Sequence, residues 1–203
     1  DITAYTNPLK ADTRRPFMLE PLNVQAELAS DEVSLKAYNP YGIISKVLRR
    51  ILGTGNTVAF DPSLLLPPFK KSYEGYWQTE KYFADFTDQI RSEFTLNVPL
   101  GSLAQRMYER IKSDDHSVSI FYRRTDYVGH KTFDIGEQDY QKRALTRMKE
   151  LVPNMKLYVM SDDITWVKEN VDLPEGSVFV SDKEITPQEE MHLASACRHN
   201  IIP

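Results

Sequence analysis

Two adjacent arginines followed by an aspartate are the residues of this chain best suited to chemistry. Arg123 and Arg124 come soon after the short apolar run at 118–121, and Asp126 lies two positions further on. The run is rich in β-branched and aromatic residues and follows a polar segment, which predicts a buried strand. Guanidinium groups at the carboxyl edge of a sheet suit bidentate contact with phosphate oxygens. The pattern therefore predicts a site for a phosphorylated donor, with the carboxylate orienting one arginine.

A surface ion pair is the alternative interpretation of the same residues. Arg123 or Arg124 paired with Asp126 at a strand end would then form a solvated charge cluster, as most such clusters do. The local sequence leaves both interpretations open. The choice depends on what the neighbouring strands bring to the same edge.

A second polar group, Ser161-Asp162-Asp163, follows another predicted strand. Ser or Asp before a helix is typical of an N-cap, which accounts for one of the three residues. Carboxylates at a sheet edge also accept hydrogen bonds from a ribose or a guanine edge, and helix N-terminal amides bind phosphate. Together with the arginines, the tripeptide predicts a nucleotide site in which arginines hold a pyrophosphate and acids hold a nucleoside.

Strands alternate with helices in the second half of the chain, which predicts βαβ units and a parallel sheet. All carboxyl ends of such strands lie at one edge. Predicted strands span 118–122, 157–160, 178–180 and 200–202, and predicted helices span 102–111, 138–151, 161–170 and 187–196. Earlier, a short helix is predicted at 47–52 and an extended aromatic segment at 73–78. An amphipathic helix is predicted at 79–94, with Thr79 as N-cap and a core stripe formed by Phe83, Phe86, Ile90 and Phe94.

Composition limits the class of protein. The 203 residues are 41% apolar and 27% charged with a net charge of −4, which is ordinary for a globular protein and does not indicate a nucleic-acid partner. No run of about 18 apolar residues is present to span a bilayer, and the N-terminus has no signal-peptide pattern. The single cysteine, Cys197, is predicted to be a buried structural thiol in a reducing compartment.

Several other chemistries lack their motifs. The chain has no Gly-rich loop ending in Lys-Ser/Thr for a P-loop and no Gly-x-Ser-x-Gly elbow for a serine hydrolase. The four histidines show no metal-ligand spacing, so no zinc site is predicted; they are His116, His130, His192 and His199.

Four segments, in the right order over 75–202, resemble the α-1,2-fucosyltransferases, whose motif is shared in looser form by α-1,6- and protein O-fucosyltransferases. Residues 123–127 resemble the family's HxRRxDY motif, and 75–83 resemble its GYWQ-x-EKYF segment. Residues 160–168 resemble its FSDD-x-x-WVK segment. Residues 190–193 and 197–202 resemble the lead-in to its C-terminal block.

The resemblance implies an α/β fold of the GT-B type, with a Rossmann-like parallel sheet in the C-terminal half. It implies an inverting galactoside α-1,2-fucosyltransferase that moves L-fucose from GDP-β-L-fucose to a hydroxyl of a galactose-terminated glycan without a metal. The expected location is cytoplasmic, with peripheral association to the inner face of the membrane. Residues 1–112 would be the remainder of an N-terminal, acceptor-side domain, and 113–203 the donor-binding domain.

The same resemblance implies roles for individual residues. Arg123, Arg124 and Asp126 would be catalytic. The arginines would bind the donor phosphates and stabilise the departing GDP, while Asp126 would orient an arginine or help activate the acceptor. The implied donor-binding set comprises Arg123, Arg124, Tyr127, Ser161, Asp162 and Asp163, with the last two at the nucleoside end.

Departures from the family pattern leave alternatives open. The family's histidine two positions before the arginines is Phe121, and the glutamate base of α-1,6 relatives corresponds to Lys131. The family's Gly-rich N-terminal block and its Asn-Ser-x-Phe-Ser-Trp-Trp block are absent from 1–203, so we expect an internal fragment of a longer protein. The alternatives are a degenerate nucleotide-binding module without transferase activity and a glycosyltransferase that uses another nucleotide sugar. The base stays open among Asp126, His130, Asp134 and Glu137.

Overall fold

The computed structural model of the chain describes residues 3–4, 18–28, 60–65, 79–125, 128–129 and 137–202. The chain divides into two compact units, Asp1–Asn97 and Val98–Pro203. This border precedes the helix at 102–112, whereas the predicted domain border falls after it. The acceptor and donor roles given to the two parts stay predictions.

The elements in the described part of the first unit are short. Strands β1 (Thr3–Ala4) and β2 (Glu27–Leu28) pair in parallel. Three 3₁₀ turns (Pro62–Leu65, Glu80–Tyr82 and Ala84–Phe86) precede helix α1 (Thr87–Glu93). The side chain of Asn97 donates hydrogen bonds to the carbonyls of Glu20 (3.0 Å) and Leu22 (2.8 Å). These bonds fasten the segment around Leu22 to the chain that follows α1.

The predicted helix at 79–94 is wrong in its first half. Thr79 does act as a cap, since its hydroxyl accepts from the N–H of Lys81, but it caps the 3₁₀ turn Glu80–Tyr82. The predicted aromatic core stripe is also wrong in part, because Phe86 is 60% exposed and Phe94 is 48% exposed. Spacings of three residues fit a 3₁₀ turn as well as an α-helix, so the pattern did not separate the two.

The second unit alternates helices and strands as predicted. Helix α2 (Ser102–Lys112) leads into strand β3 (Ser117–Tyr122), and helix α3 (Glu137–Leu151) leads into β4 (Lys156–Ser161). Helix α4 (Ile164–Asn170), β5 (Val178–Phe179), α5 (Pro187–Ala196) and β6 (His199–Ile201) complete it.

The four strands form one parallel sheet in the order β5-β4-β3-β6. Counted within this unit the order is third, second, first, fourth, which matches the first four strands of the Rossmann order. The order reverses between β3 and β6. A ligand crevice is therefore expected beside the carboxyl end of β3. The predicted α/β class with a parallel sheet is confirmed.

Apolar side chains cover both faces of this sheet. Alternate residues of β4 point to opposite sides: Leu157 and Val159 pack with residues of α3 and α4, while Tyr158 and Met160 pack with residues of α2 and α5. Cys197 is buried in the second cluster, and its thiol lies 3.7 Å from the Leu193 carbonyl. The prediction of a buried thiol is confirmed.

Some predictions fall on residues outside the described ranges: the helix at 47–52, the segment at 73–78, and Asp126, Tyr127, His130 and Asp134. Glu137 is the first residue of α3. Among the described residues, no helix combines the length and apolar character needed to cross a membrane.

Candidate functional site

The two arginines and the aspartates meet at the carboxyl edge of the sheet. Strands β3 and β4 are in parallel register with Tyr122 opposite Ser161, so the residues after each strand emerge side by side. Arg123 and Arg124 follow β3, and Asp162 follows β4. The structure thereby brings together groups that lie nearly forty positions apart in the sequence.

Asp162 holds the backbone of the arginine segment. Its Oδ1 accepts from the Arg124 N–H at 2.7 Å, and its Oδ2 accepts from the N–H and the hydroxyl of Thr125 at 3.2 and 2.7 Å. The Nε of Arg123 lies 3.7 Å from the same Oδ2. The carboxylate side chain is 19% exposed. Asp162 therefore connects the loop after β3 to the end of β4.

The guanidinium of Arg124 lies over an indole ring. Its Cζ is 3.5 Å from the ring centroid of Trp166, in the first turn of α4. Stacking and cation–π attraction fix the plane of the guanidinium. The side chain of Arg123 is 33% exposed beside it. Arg123 and Arg124 thus both follow the end of β3 at the sheet edge, and guanidinium groups are suited to contact with phosphate.

Ser161 and Asp163 make bonds within the protein. The buried hydroxyl of Ser161 donates to the Tyr122 carbonyl at 2.8 Å and accepts from the Asp163 N–H at 2.9 Å. Asp163 is the N-cap of α4, and its Oδ1 accepts from the Trp166 N–H at 3.0 Å. The prediction that one residue of this tripeptide is a helix N-cap is thus confirmed at Asp163. The predicted donor-binding roles of Ser161, Asp162 and Asp163 stay predictions.

Glu190 is a further acidic group at this edge that the sequence reasoning did not select. It lies in the first turns of α5, where the Ser181 side chain forms a hydrogen bond with it, and the Ser161 N–H donates to Ser181 at 2.8 Å. Burial raises the pKa of the Glu190 carboxyl, the bond from Ser181 opposes that rise, and the charge of Asp162 adds to it. A carboxyl group with a raised pKa at a ligand edge is a candidate functional group. In the sequence Glu190 is the first residue of the segment 190–193 that resembles the family, but no role was predicted for it.

Phe121, which replaces the family's histidine, lies in the last part of β3. Its side chain packs against the apolar cluster formed by α2, α5 and one face of the sheet. Its carbonyl accepts from Nε2 of the buried Gln141 at 3.0 Å. This residue therefore contributes to packing at the strand end that precedes the arginines.

Within the described ranges, no group of three or more histidine, cysteine, aspartate or glutamate residues is arranged to hold a metal ion. Metal independence stays a prediction. Asp126 and Tyr127, implied to act in catalysis and donor binding, lie outside the described residues, as do His130 and Asp134 among the candidate bases.

The fold and the edge site define an α/β protein with the strand order of nucleotide-binding halves and paired arginines at its carboxyl edge. Comparison with family models gives a match to Glycosyl transferase family 11 over residues 59–203. The chain belongs to this glycosyltransferase family, which confirms the resemblance to fucosyltransferases.

Curated relatives agree with the family match. The chain is 29% identical over 139 residues to an alpha-1,2-colitosyltransferase of Escherichia coli, covering 63% of this chain and 46% of that protein. It is 30% identical over 154 residues to galactoside alpha-(1,2)-fucosyltransferase 1 of Ateles belzebuth, covering 70% of this chain and 40% of that protein. It is 29% identical over 133 residues to the Bos taurus protein of the same name, covering 60% of this chain and 37% of that protein. The chain thus spans less than half the length of these relatives. No solved structure matches it significantly.

Proposed function

We propose that this chain forms part of an inverting glycosyltransferase that moves L-fucose from GDP-β-L-fucose to a hydroxyl of a galactoside glycan. The observation that carries the proposal is the pair of arginines at the switch point of a Rossmann-type sheet, in a member of glycosyl transferase family 11. A GT-B-type fold, metal-independent catalysis and a cytoplasmic location with peripheral membrane association belong to the same proposal.

The proposed reaction forms one bond and breaks one. The acceptor hydroxyl oxygen bonds to the anomeric carbon as the bond from that carbon to the β-phosphate oxygen breaks. The electron pair leaves with GDP, and the hydroxyl proton passes to a base. Negative charge develops on the departing diphosphate. Fixed guanidinium groups stabilise that charge more in the transition state than in the ground state, which raises the rate.

Arg123 and Arg124 are proposed to bind the diphosphate. Their positions follow from β3, and Asp162 and Trp166 hold Arg124 from its backbone and from its guanidinium face. Contacts within the protein that hold Arg124 reduce the reorganisation needed as negative charge develops on GDP.

Glu190 is proposed to face the nucleoside. A carboxylate offers two acceptor oxygens, and guanine presents its N1–H and N2–H₂ donors side by side along one edge. The neighbouring Ser181 hydroxyl bonds to Glu190, which favours a fixed orientation of the carboxylate. This contact would favour GDP over nucleotides that lack adjacent donors.

The experiment is titration calorimetry of the full-length protein with GDP, GDP-fucose and UDP, followed by transfer assays with galactoside acceptors. We expect GDP-selective binding and fucosyl transfer. Arg124→Ala should lower the rate by about 10² to 10³-fold, as loss of a donor to a developing negative charge does. The exposed Arg147 of α3, whose side chain is 67% exposed, supplies the matched control as Arg147→Ala. An unchanged rate in Arg124→Ala would overturn the proposed role.

Two other functions are separated by the same assays. The match to a protein named as a colitosyltransferase favours a second candidate, transfer of a different deoxysugar from its nucleotide donor. Transfer from such a donor in preference to GDP-fucose would establish it. GDP binding without any turnover would instead indicate a degenerate nucleotide-binding module, the alternative motivated by Phe121 and Lys131.

A further inference from the structure

We infer that Asp162, Asp163 and Trp166 form a clamp that positions the arginine segment, and that Asp162 acts as a positioning residue and not as a nucleoside ligand. The identity of the ligand rests on the proposed function. The clamp itself rests on contacts between the loop after β3 and the segment from Ser161 to Trp166.

The Asp162 carboxylate uses its acceptor capacity inside the protein. A carboxylate has about four acceptor positions on its two oxygens. Three are taken by the N–H groups of Arg124 and Thr125 and the hydroxyl of Thr125, and the Arg123 Nε lies 3.7 Å away. A ribose hydroxyl or a guanine edge would have to compete with bonds already made. The same bonds fix the backbone from which both arginine side chains project.

The other end of the clamp acts on the guanidinium itself. Asp163 caps the first turn of α4 by accepting from the N–H of Trp166, which places the indole. The guanidinium of Arg124 stacks on this indole, with its Cζ 3.5 Å from the ring centroid. Stacking on one face leaves the in-plane direction of a guanidinium as its hydrogen-bonding direction. Loop backbone and guanidinium plane are therefore set by neighbouring residues of one segment.

Ser161 joins the clamp to the sheet. Its one hydroxyl hydrogen is donated to the Tyr122 carbonyl, and its oxygen accepts from the Asp163 N–H. Ser161 therefore links the last residue of β3 to the N-cap of α4. All three polar residues of the Ser-Asp-Asp motif have roles in holding the arginines, so the motif is explained without a nucleoside contact.

The test compares GDP with inorganic pyrophosphate, which lacks the nucleoside, by titration calorimetry on the full-length protein. A clamp acts at the phosphate end of the ligand. Asp162→Asn should therefore lower the affinity for GDP and for pyrophosphate by the same factor, about 30- to 100-fold, because an amide cannot accept all three hydrogen bonds. Thr125→Val removes the hydrogen bond from the hydroxyl to the charged Asp162 carboxylate and should lower the affinity for both ligands by about tenfold. Thr125→Ser keeps the hydroxyl and should bind both ligands as the wild type does.

Asp172→Asn, the same change of side chain at an exposed position after α4, is the matched control. It should leave the affinity for both ligands within about twofold of the wild type, as exposed substitutions away from a site do. Thr125 is exposed, so its variants keep the test valid if Asp162→Asn does not fold.

Two results would overturn the clamp. One is a loss of GDP affinity in Asp162→Asn with unchanged pyrophosphate affinity, which would make Asp162 a nucleoside ligand. The other is unchanged affinity for both ligands in Thr125→Val. Pyrophosphate binding without GDP binding in the wild type would overturn the proposed function alone, and binding of neither ligand would overturn both.

Discussion

The carboxylate of Glu189 accepts a hydrogen bond from the backbone N–H of Gly101 at 2.7 Å, across 88 positions of sequence. Gly101 is the N-cap of α2, and Glu189 lies in the first turn of α5. The second oxygen of Glu189 accepts from the N–H and hydroxyl of Thr186 and completes a capping box. One buried carboxylate thus serves the beginnings of two helices that cover the same face of the sheet.

Glu189→Ala is expected to destabilise the second unit by about 2 to 4 kcal/mol. The loss of a cap costs about 1 kcal/mol, and a backbone N–H left without its partner costs about 1 to 3 kcal/mol more. Urea unfolding followed by circular dichroism measures the change. The control is Glu169→Ala at an exposed position of α4, which should change the free energy of unfolding by less than about 0.5 kcal/mol. Equal effects of the two substitutions would contradict the role of Glu189.

The stability contributed by Glu189 should disappear in acid. Burial raises the pKa of this carboxyl, but the hydrogen bonds from Thr186 and Gly101 together outweigh it and leave the pKa below its ordinary value of 4.5. A lowered folded-state pKa gives stability that is present above the unfolded-state value and lost as the pH falls through the folded-state value. The difference in unfolding free energy between wild type and Glu189→Gln should be constant above about pH 5 and shrink below 4.5. A difference that grows in acid would contradict this assignment.

Local patterns predicted the elements of the second unit mainly because strands β3, β4 and β5 contain short apolar runs. The first unit was predicted less well. Thr79 looked like the start of one helix, yet the chain passes through two 3₁₀ turns before α1, and Phe86 and Phe94 lie exposed. Periodicity gives the direction of side chains in a helix but does not establish that the helix forms.

The sequence predicted that the arginines and aspartates share one edge of the sheet, but it did not predict the contacts between them. The sequence placed Arg124 and Asp162 at one edge, because parallel strands share it. That the Asp162 carboxylate holds the N–H of Arg124 depends on the register of β3 with β4, which no local pattern encodes. Glu189 and Glu190 are adjacent glutamates, but consecutive helix positions differ in direction by about 100°. One therefore caps two helices, and the other approaches Ser181 and Asp162.

Cys197 should be almost inert to alkylation in the folded protein. Burial, with a smaller contribution from Asp114, raises the pKa of its thiol from 9.0 to about 12. The thiolate is the reactive form, so the folded protein should have about a thousandfold less of it near pH 8. Iodoacetamide labelling of the peptide that contains Cys197, followed by mass spectrometry with and without urea, measures the ratio. Similar labelling rates in the two conditions would contradict a buried thiol.

Glu190 should select the guanine base through its carboxylate. Inosine diphosphate lacks the N2 amino group of GDP, so the wild type should bind GDP about tenfold more tightly, the worth of one charge-assisted hydrogen bond. Glu190→Gln should lower the affinity for GDP and remove most of the preference for GDP over inosine diphosphate. The reason is that an amide offers one acceptor oxygen in place of two. Calorimetry with both nucleotides measures the ratio, and Glu184→Gln at an exposed position before α5 is the control.

The same contact should make GDP affinity depend on pH. Burial and the charge of Asp162 raise the pKa of Glu190 above 4.5, although the hydrogen bond from Ser181 lowers it in part. Protonation removes the acceptor, so affinity should fall as the pH is lowered through this raised value, while pyrophosphate affinity should not follow the same curve. If GDP and inosine diphosphate bind equally to the wild type, the amino group of guanine is not read by Glu190. If the pH dependence persists in Glu190→Gln, another group titrates at the nucleoside end of the site.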